Sequence, residues 1–336
     1  MIKILISAAV LACCSTAAVA QKTVGQIKQR QELLCGVGTP LAGFFNVDKE
    51  GRWTGFDVDL CRALAVAVLN DPDKVKFIAL TSKNRFTALQ AGEVDVLISN
   101  ATWTMSRDTK IGLKFGPPNF YDGQGFMARK SLNIKSARDL AGASICVQQG
   151  TTSELNLADY ARAQAIKLET VTFADNDQTL KAYEAGRCDA LTVDASNLAA
   201  SRLQLADPEA HVLLPEIISK EPLAPVVRKG DEEWLDVIKW THFAMVNAEE
   251  LGVTKDNAER MKASDDPAIK RLLGAEQDFG EGLGLSPDWS FRIISKIGNY
   301  GEIYDLHLGP ASRLKIPRGL NNLWKNGGIQ YAPPIR

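Results

Sequence analysis

Apolar residues follow two rhythms along this chain. Short unbroken runs read as buried strands, among them ELLCGVG (32–38), the VDVLIS run (94–99) and ASICVQQ (143–149). Between them lie stretches with helical spacing. In GFDVDLCRALAVAVLND (55–71), apolar side chains at 61, 64, 65 and 68 keep the i, i+3, i+4, i+7 pattern, and Asn70-Asp71-Pro72 stops the helix. SARDLAG (136–142) predicts a short helix with a Ser/Asp cap and a glycine end, and GTTSELNLADYARAQ (150–164) a glycine turn into a helix. Strands alternating with helices predict an α/β fold with mostly parallel sheets.

One pattern occurs twice. ALQAGEVDVLISN (88–100) and AYEAGRCDALTVD (182–194) both read A-x-x-A-G-x-x-D-x-L. In each, a helix ends and Gly92 or Gly186 takes the position where a positive φ costs nothing. An apolar strand follows, Val94 to Ser99 or Cys188 to Val193. The polar residue at its carboxyl edge is Asn100 in one copy and Asp194 in the other. Two such units predict two α/β lobes built alike. Ligands of such sheets bind beyond the carboxyl ends of the strands, which is where Asn100, Asp194 and Gly150-Thr151-Thr152 fall.

The first twenty residues carry Lys3, an apolar core from Ile4 to Ala12, and Ala18-Val19-Ala20 as a cleavage site. They read as a secretory signal (1–20), too short for a membrane span. A rival cut before Cys13 would make a lipoprotein but leaves a very short signal. The mature length predicts two domains or lobes. The formal charge is −1, and no basic run suits nucleic acid or an anionic membrane surface. Cys35, Cys61, Cys146 and Cys188 remain after cleavage, an even number that favours two disulfides outside the cytoplasm. With no C-x-x-C spacing and only His211, His242 and His307, no metal site is expected.

GFDVDLCRALA, TSKNRFTALQAGEVDVLISNATWTMSRD, the GTT turn and GRCDALTVD, in that order, resemble the family 3 extracellular solute-binding proteins of ABC amino-acid importers. The ending RIISKIGNYGEIYDLHLGPASRLKIPRGLNNLWKNGGIQYAPPIR resembles the longer, broad-specificity branch, the general L-amino-acid-binding periplasmic proteins. The resemblance implies a type II periplasmic-binding-protein fold: two lobes joined by two crossing strands, closing on one amino acid. The crossings would fall near 123–126 and 219–225. Lobe 1 would comprise 21–124 and 221–336, and lobe 2 residues 125–220, with 276–336 packed on lobe 1. It also implies a periplasmic monomer that takes an L-amino acid to permease subunits in the inner membrane, with no cofactor and no catalysis.

The resemblance assigns roles residue by residue. Arg107, a planar fork that stays charged, would hold the ligand's α-carboxylate, with the Thr102 hydroxyl adding a bond to the same group. The plain alternative for Arg107 is an interlobe salt bridge. Thr152 would offer its N–H and hydroxyl at a helix terminus, or serve only as that helix's N-cap. Asp194 would accept the α-ammonium, or cap ASNLAASR. Asn100 would help the ammonium or line the side-chain pocket. Phe44, Leu41 and Ser82 are weaker candidates for its wall. Asp57 and Asp59 read as an N-cap and a first-turn charge, and the tryptophans as core or rim. Cys35 and Cys61 fall in lobe 1, Cys146 and Cys188 in lobe 2. This suggests the pairs 35–61 and 146–188, although four cysteines allow three connectivities. Some proteins of this fold are dehydratases for arogenate-like amino acids, an alternative that could recruit Asp194.

Overall fold

The computed structural model describes residues 22–336, so the expected secretory signal (1–20) lies outside the described residues. Two five-stranded sheets dominate. In lobe 1 the order is Val75–Leu80, Leu33–Gly38, Val96–Leu97, Val226–Arg228, Leu113–Phe115. In lobe 2 it is Glu169–Phe173, Ser144–Gln148, Ala190–Asp194, Gln124–Arg129, His211–Leu213. Both sheets are mixed. The first three strands of each run parallel, and the strand entering beside them is antiparallel. That antiparallel strand is the chain arriving from the other lobe, a consequence of the crossing that the alternation of elements could not reveal.

The crossing itself is a separate two-stranded ribbon. Phe120–Asp122 pairs antiparallel with Glu221–Leu223, placing Glu221 opposite Asp122. The first crossing strand lies just ahead of the expected place, because Gln124–Arg129 already pairs with lobe 2 strands.

The repeated unit performs one task twice. Gly92 and Gly186 sit at φ 79° and 78°, which lets the chain reverse from helix to strand. The aspartate of each copy then fastens the neighbouring strand of its own sheet. Asp95 accepts the N–H of Leu34 and Asp189 that of Ser144, each at 2.8 Å. One disulfide, Cys35–Cys61, pins strand Leu33–Gly38 to helix Phe56–Leu69, and the other, Cys146–Cys188, staples the lobe 2 sheet.

Helices Trp289–Lys296 and Tyr300–His307 pack against Phe56–Leu69 and Glu232–Glu250, so the C-terminal segment covers lobe 1. Asp59 is part of that seam, with its carboxylate 2.6 Å from His307 Nε2. Asn321 exchanges two hydrogen bonds with the backbone of Tyr121 and so reaches the crossing ribbon. Trp234 is core, donating its indole N–H to the Asp95 carbonyl, whereas Trp103 is a rim residue.

Candidate functional site

The segment after strand Val96–Leu97 forms the lobe 1 side of a cleft. Asn100 adopts φ 49°, a left-handed conformation that asparagine tolerates better than most residues. The following residues are sewn to the second crossing strand. Trp103 donates its N–H to the Pro222 carbonyl, and Ala224 donates to Ala101. Helix Met105–Lys110 then starts, with the Thr104 hydroxyl as its cap. Asp57 is not the N-cap of its helix; Gly55 holds that place. Its buried carboxylate instead accepts from the Asn119 amide at 3.1 Å and weakly from the Asn100 N–H at 3.4 Å, and burial raises it to about 7.

Two arginines lie over one aromatic ring on this side. The guanidinium carbons of Arg85 and Arg107 lie 5.0 and 5.1 Å from the Phe86 ring centroid. Arg107 Nη1 donates to the Thr102 carbonyl at 3.0 Å, which steadies the fork. Arg85 Nη1 donates to the Ser99 carbonyl at 2.9 Å. Burial lowers both guanidinium pKa values, that of Arg85 to about 9, so both remain charged at neutral pH.

Lobe 2 supplies the facing acid. Asp194 ends strand Ala190–Asp194 and sits at the N-cap position of helix Ala195–Arg202, yet its side chain makes no capping bond. Asp122 does that work: its carboxylate accepts the N–H and hydroxyl of Ser196. Asp194 is buried, and no group among the described residues donates a hydrogen bond to its carboxylate. Burial, then the charges of Asp122 and Glu221, push it well above the usual carboxylate range, against the pull of Arg85 and Arg107. The same division of labour occurs at helix Thr152–Ala163. Its cap is Thr151, whose hydroxyl accepts the Glu154 N–H, so Thr152 is free for other contacts.

The lobes meet across the cleft. Thr102 and Thr152 hydroxyls lie 3.2 Å apart. Ser82 donates to the Gln149 carbonyl at 2.8 Å and accepts from Gln148 Nε2 at 3.1 Å. Both hydroxyls of the threonine pair also donate to Glu221 Oε2, at 2.6 and 2.9 Å.

A pocket opens beside this bridge, lined by Leu41, Phe45, Ser82, Arg85, Ser99 and Asn100 from lobe 1, with Gln148 and Asn197 opposite. Of the residues the resemblance assigns to the side-chain wall or pocket, Leu41, Ser82 and Asn100 line this pocket. Phe44 does not. It is fully buried among Phe45, Phe56 and Phe120, and its neighbour Phe45 faces the cleft. The reason is geometric: the Leu41–Phe45 bridge turns the chain so that Phe44 points into the lobe 1 core. Arg85 and Glu221 went unnoticed in the sequence. Only the N-R preceding an apolar helical stretch, and a lone acid in KEPLAP, could have marked them.

A model of the bacterial extracellular solute-binding proteins, family 3, matches residues 33–257. The chain belongs to this family. Over 333 residues it is 54% identical to the general L-amino acid-binding periplasmic protein AapJ of Rhizobium johnstonii, covering 98% of this chain and 97% of that one. It is 49% identical to the glutamate/glutamine/aspartate/asparagine-binding protein BztA of Rhodobacter capsulatus, over 97% of each. A solved ABC transporter periplasmic binding protein from Brucella ovis, with glutathione bound, matches with TM-score 0.92 and 55% identity, over 94% of this chain and 100% of that one. The family and these relatives are solute-binding proteins, not enzymes.

Proposed function

We propose that this protein is the periplasmic capture component of an ABC importer for L-amino acids, handing its ligand to the membrane permease. The observation that carries the reading is the unpaired, buried Asp194 of lobe 2 in the electrostatic field of Arg107 and Arg85 from lobe 1. A zwitterion answers both charges at once. Its carboxylate would lie on Arg107 and the first N–H groups of helix Thr152–Ala163, where a helix favours an anion. Its ammonium would lie against Asp194.

The Thr102 hydroxyl belongs with the ammonium in this reading. A hydroxyl has one proton, and Thr102 donates it to Glu221, so it offers the ligand lone pairs alone. Ser82 is engaged in the interlobe contact and helps to close the pocket.

The side chain would enter the pocket beside Arg85. Eight buried side-chain atoms among the described residues lack a partner, and four of them line this pocket: Arg85 Nε, Ser99 Oγ, and both amide atoms of Asn100. Such groups favour a side-chain carboxylate or carboxamide, since an aliphatic one would leave them unsatisfied. The glutathione in the Brucella ovis structure supports this, because its only free α-ammonium and α-carboxylate pair belongs to a glutamyl residue.

Calorimetric titration of ligand-stripped protein with the common amino acids tests the reading. Arg107→Ala is expected to stay folded and lose binding. Wild-type affinity in that variant would refute the assignment.

A further inference from the structure

Glu221 lies in the crossing ribbon, 1% exposed, and belongs to neither polar grip described above. Its carboxylate accepts four hydrogen bonds. Oε2 takes the hydroxyls of Thr102 and Thr152, and Oε1 takes Ser219 Oγ at 2.6 Å and Asn156 Nδ2 at 2.7 Å. Thr102 is on lobe 1, while Thr152 and Asn156 are on one helix of lobe 2. A carboxylate has about four lone-pair sites. All are used, so Glu221 cannot itself receive the ligand's ammonium, and its influence must pass through the hydroxyls.

We propose that Glu221 is an interlobe clasp. It ties the two lobes together before any ligand arrives, and it fixes the Thr102 and Thr152 hydroxyls with their protons turned inward and their lone pairs toward the cleft. The first effect raises the fraction of binding-competent protein. Apparent affinity scales with that fraction. The second makes the lining between the lobes an acceptor surface, suited to an ammonium and unsuited to a second anionic group. Two charge-assisted bonds from opposite lobes converge on one oxygen, and opening the cleft must break at least one of them. The two neighbours on Oε1 complete the design, since they hold the carboxylate in place while the lobes part.

The clasp rests on the amino-acid-binding reading, and the test separates the two. Small-angle scattering of ligand-stripped protein reads closure, and calorimetry reads affinity. Glu221→Gln replaces one acceptor oxygen by a donor, which must oppose either the two threonines or Ser219 and Asn156. The expected result is a larger radius of gyration without ligand, recovery of the compact form at saturating ligand, and amino-acid affinity lowered ten- to hundredfold. The preference for glutamate over 2-hydroxyglutarate should also narrow, because the freed hydroxyls could then donate. A purely structural Glu221 would lower the melting temperature and leave both closure and that preference unchanged. Should Glu221→Gln fail to fold, Thr152→Val, which cuts one lobe 2 tie, should shift closure in the same direction. If the foldable variants keep wild-type closure and affinity while Arg107→Ala has lost binding, the clasp is refuted and the binding reading stands. If Arg107→Ala binds normally, the binding reading falls first.

Discussion

Replacing Asp194 by asparagine should weaken amino-acid capture and also remove its dependence on pH. In the free protein the Asp194 carboxyl is held well above its ordinary value of 3.8 by burial and by the neighbouring acids Asp122 and Glu221. Burial thus shifts this carboxyl toward its protonated form until a cation arrives. The ligand's ammonium selects the ionised form, so binding must expel a proton. By linkage, affinity falls as pH drops below the free-protein pKa of Asp194, by at most tenfold per pH unit, or about 1.4 kcal/mol. Above that pKa it levels off. Asp122, raised to about 6 by burial, titrates nearby, and its ionisation repels the Asp194 charge, which broadens the transition. The arginines facing the pair stay charged throughout and add no slope. Asp194→Asn keeps the shape and loses the charge. Truncating one partner of a desolvated ion pair costs roughly 2–5 kcal/mol, against about 8 kcal/mol for a micromolar complex. Calorimetry from pH 5 to 8, in buffers of different ionisation enthalpy, measures both affinity and proton release. The expected result is proton release in the wild type and a nearly flat, much weaker response in Asp194→Asn. A wild-type affinity constant across that range with no proton exchange, or an Asp194→Asn variant within threefold of it, would refute the reasoning.

Arg85→Gln should weaken glutamate and glutamine binding at least tenfold while leaving alanine within threefold, by the same titration, because Arg85 would meet only the side chain. Asp57 is protonated in the folded protein between its unfolded value of 3.8 and about 7. The stability it contributes is full below 3.8 and lost as pH rises through 7. Ionising it costs on the order of 4 kcal/mol. Melting curves from pH 4 to 8 should therefore decline less steeply for Asp57→Asn than for the wild type. Removing the Cys146–Cys188 bridge, which closes a sequence separation of 42, should cost about 2–4 kcal/mol in urea unfolding, with loss falling on lobe 2.

Much of the fold was legible because its signals are local. A glycine at φ near 80° between a helix and an apolar run is a short-range event, and it recurs at Gly92 and Gly186. The polar residues that close the two copies, Asn100 and Asp194, could be placed from that alone. What stayed hidden depends on partners far along the chain. Arg85 lies in a helix whose other polar residues face solvent, and only its packing against Phe86 and the Ser99 carbonyl buries it. Glu221 owes its role to Thr102 and Thr152, which are 119 and 69 residues away. Phe44 and Phe45 are equivalent by composition, and the tight turn closed by the Leu41–Phe45 bridge decides which of them lines the pocket. For the threonines of the GTT turn, the cap is Thr151, one position before Thr152, for which the sequence offered capping as the plain alternative to ligand contact.

That last displacement bears on why the cleft works. A helix start needs an acceptor for its first N–H groups, and the nearest polar side chain normally supplies it. Here neither Thr152 nor Asp194 supplies the capping side chain at its helix start. Thr151 serves one, and Asp122, from the crossing ribbon, serves the other. Asp194 is thereby relieved of a local duty that would have satisfied it, while the Thr152 hydroxyl is left to bond Glu221. A capped Asp194 would already hold hydrogen bonds from its own helix, and a ligand ammonium would have to compete with them. Left uncapped and buried, it would gain its first strong partner from the ligand's ammonium in the proposed reading. The cost of burying it is carried by the free protein, so the contact with the ligand is worth more than the same contact at a satisfied carboxylate. Asp122 is the residue on which this depends. Because it sits on the crossing ribbon opposite Glu221, the group that frees the proposed ammonium site and the proposed clasp would move as one unit as the cleft closes.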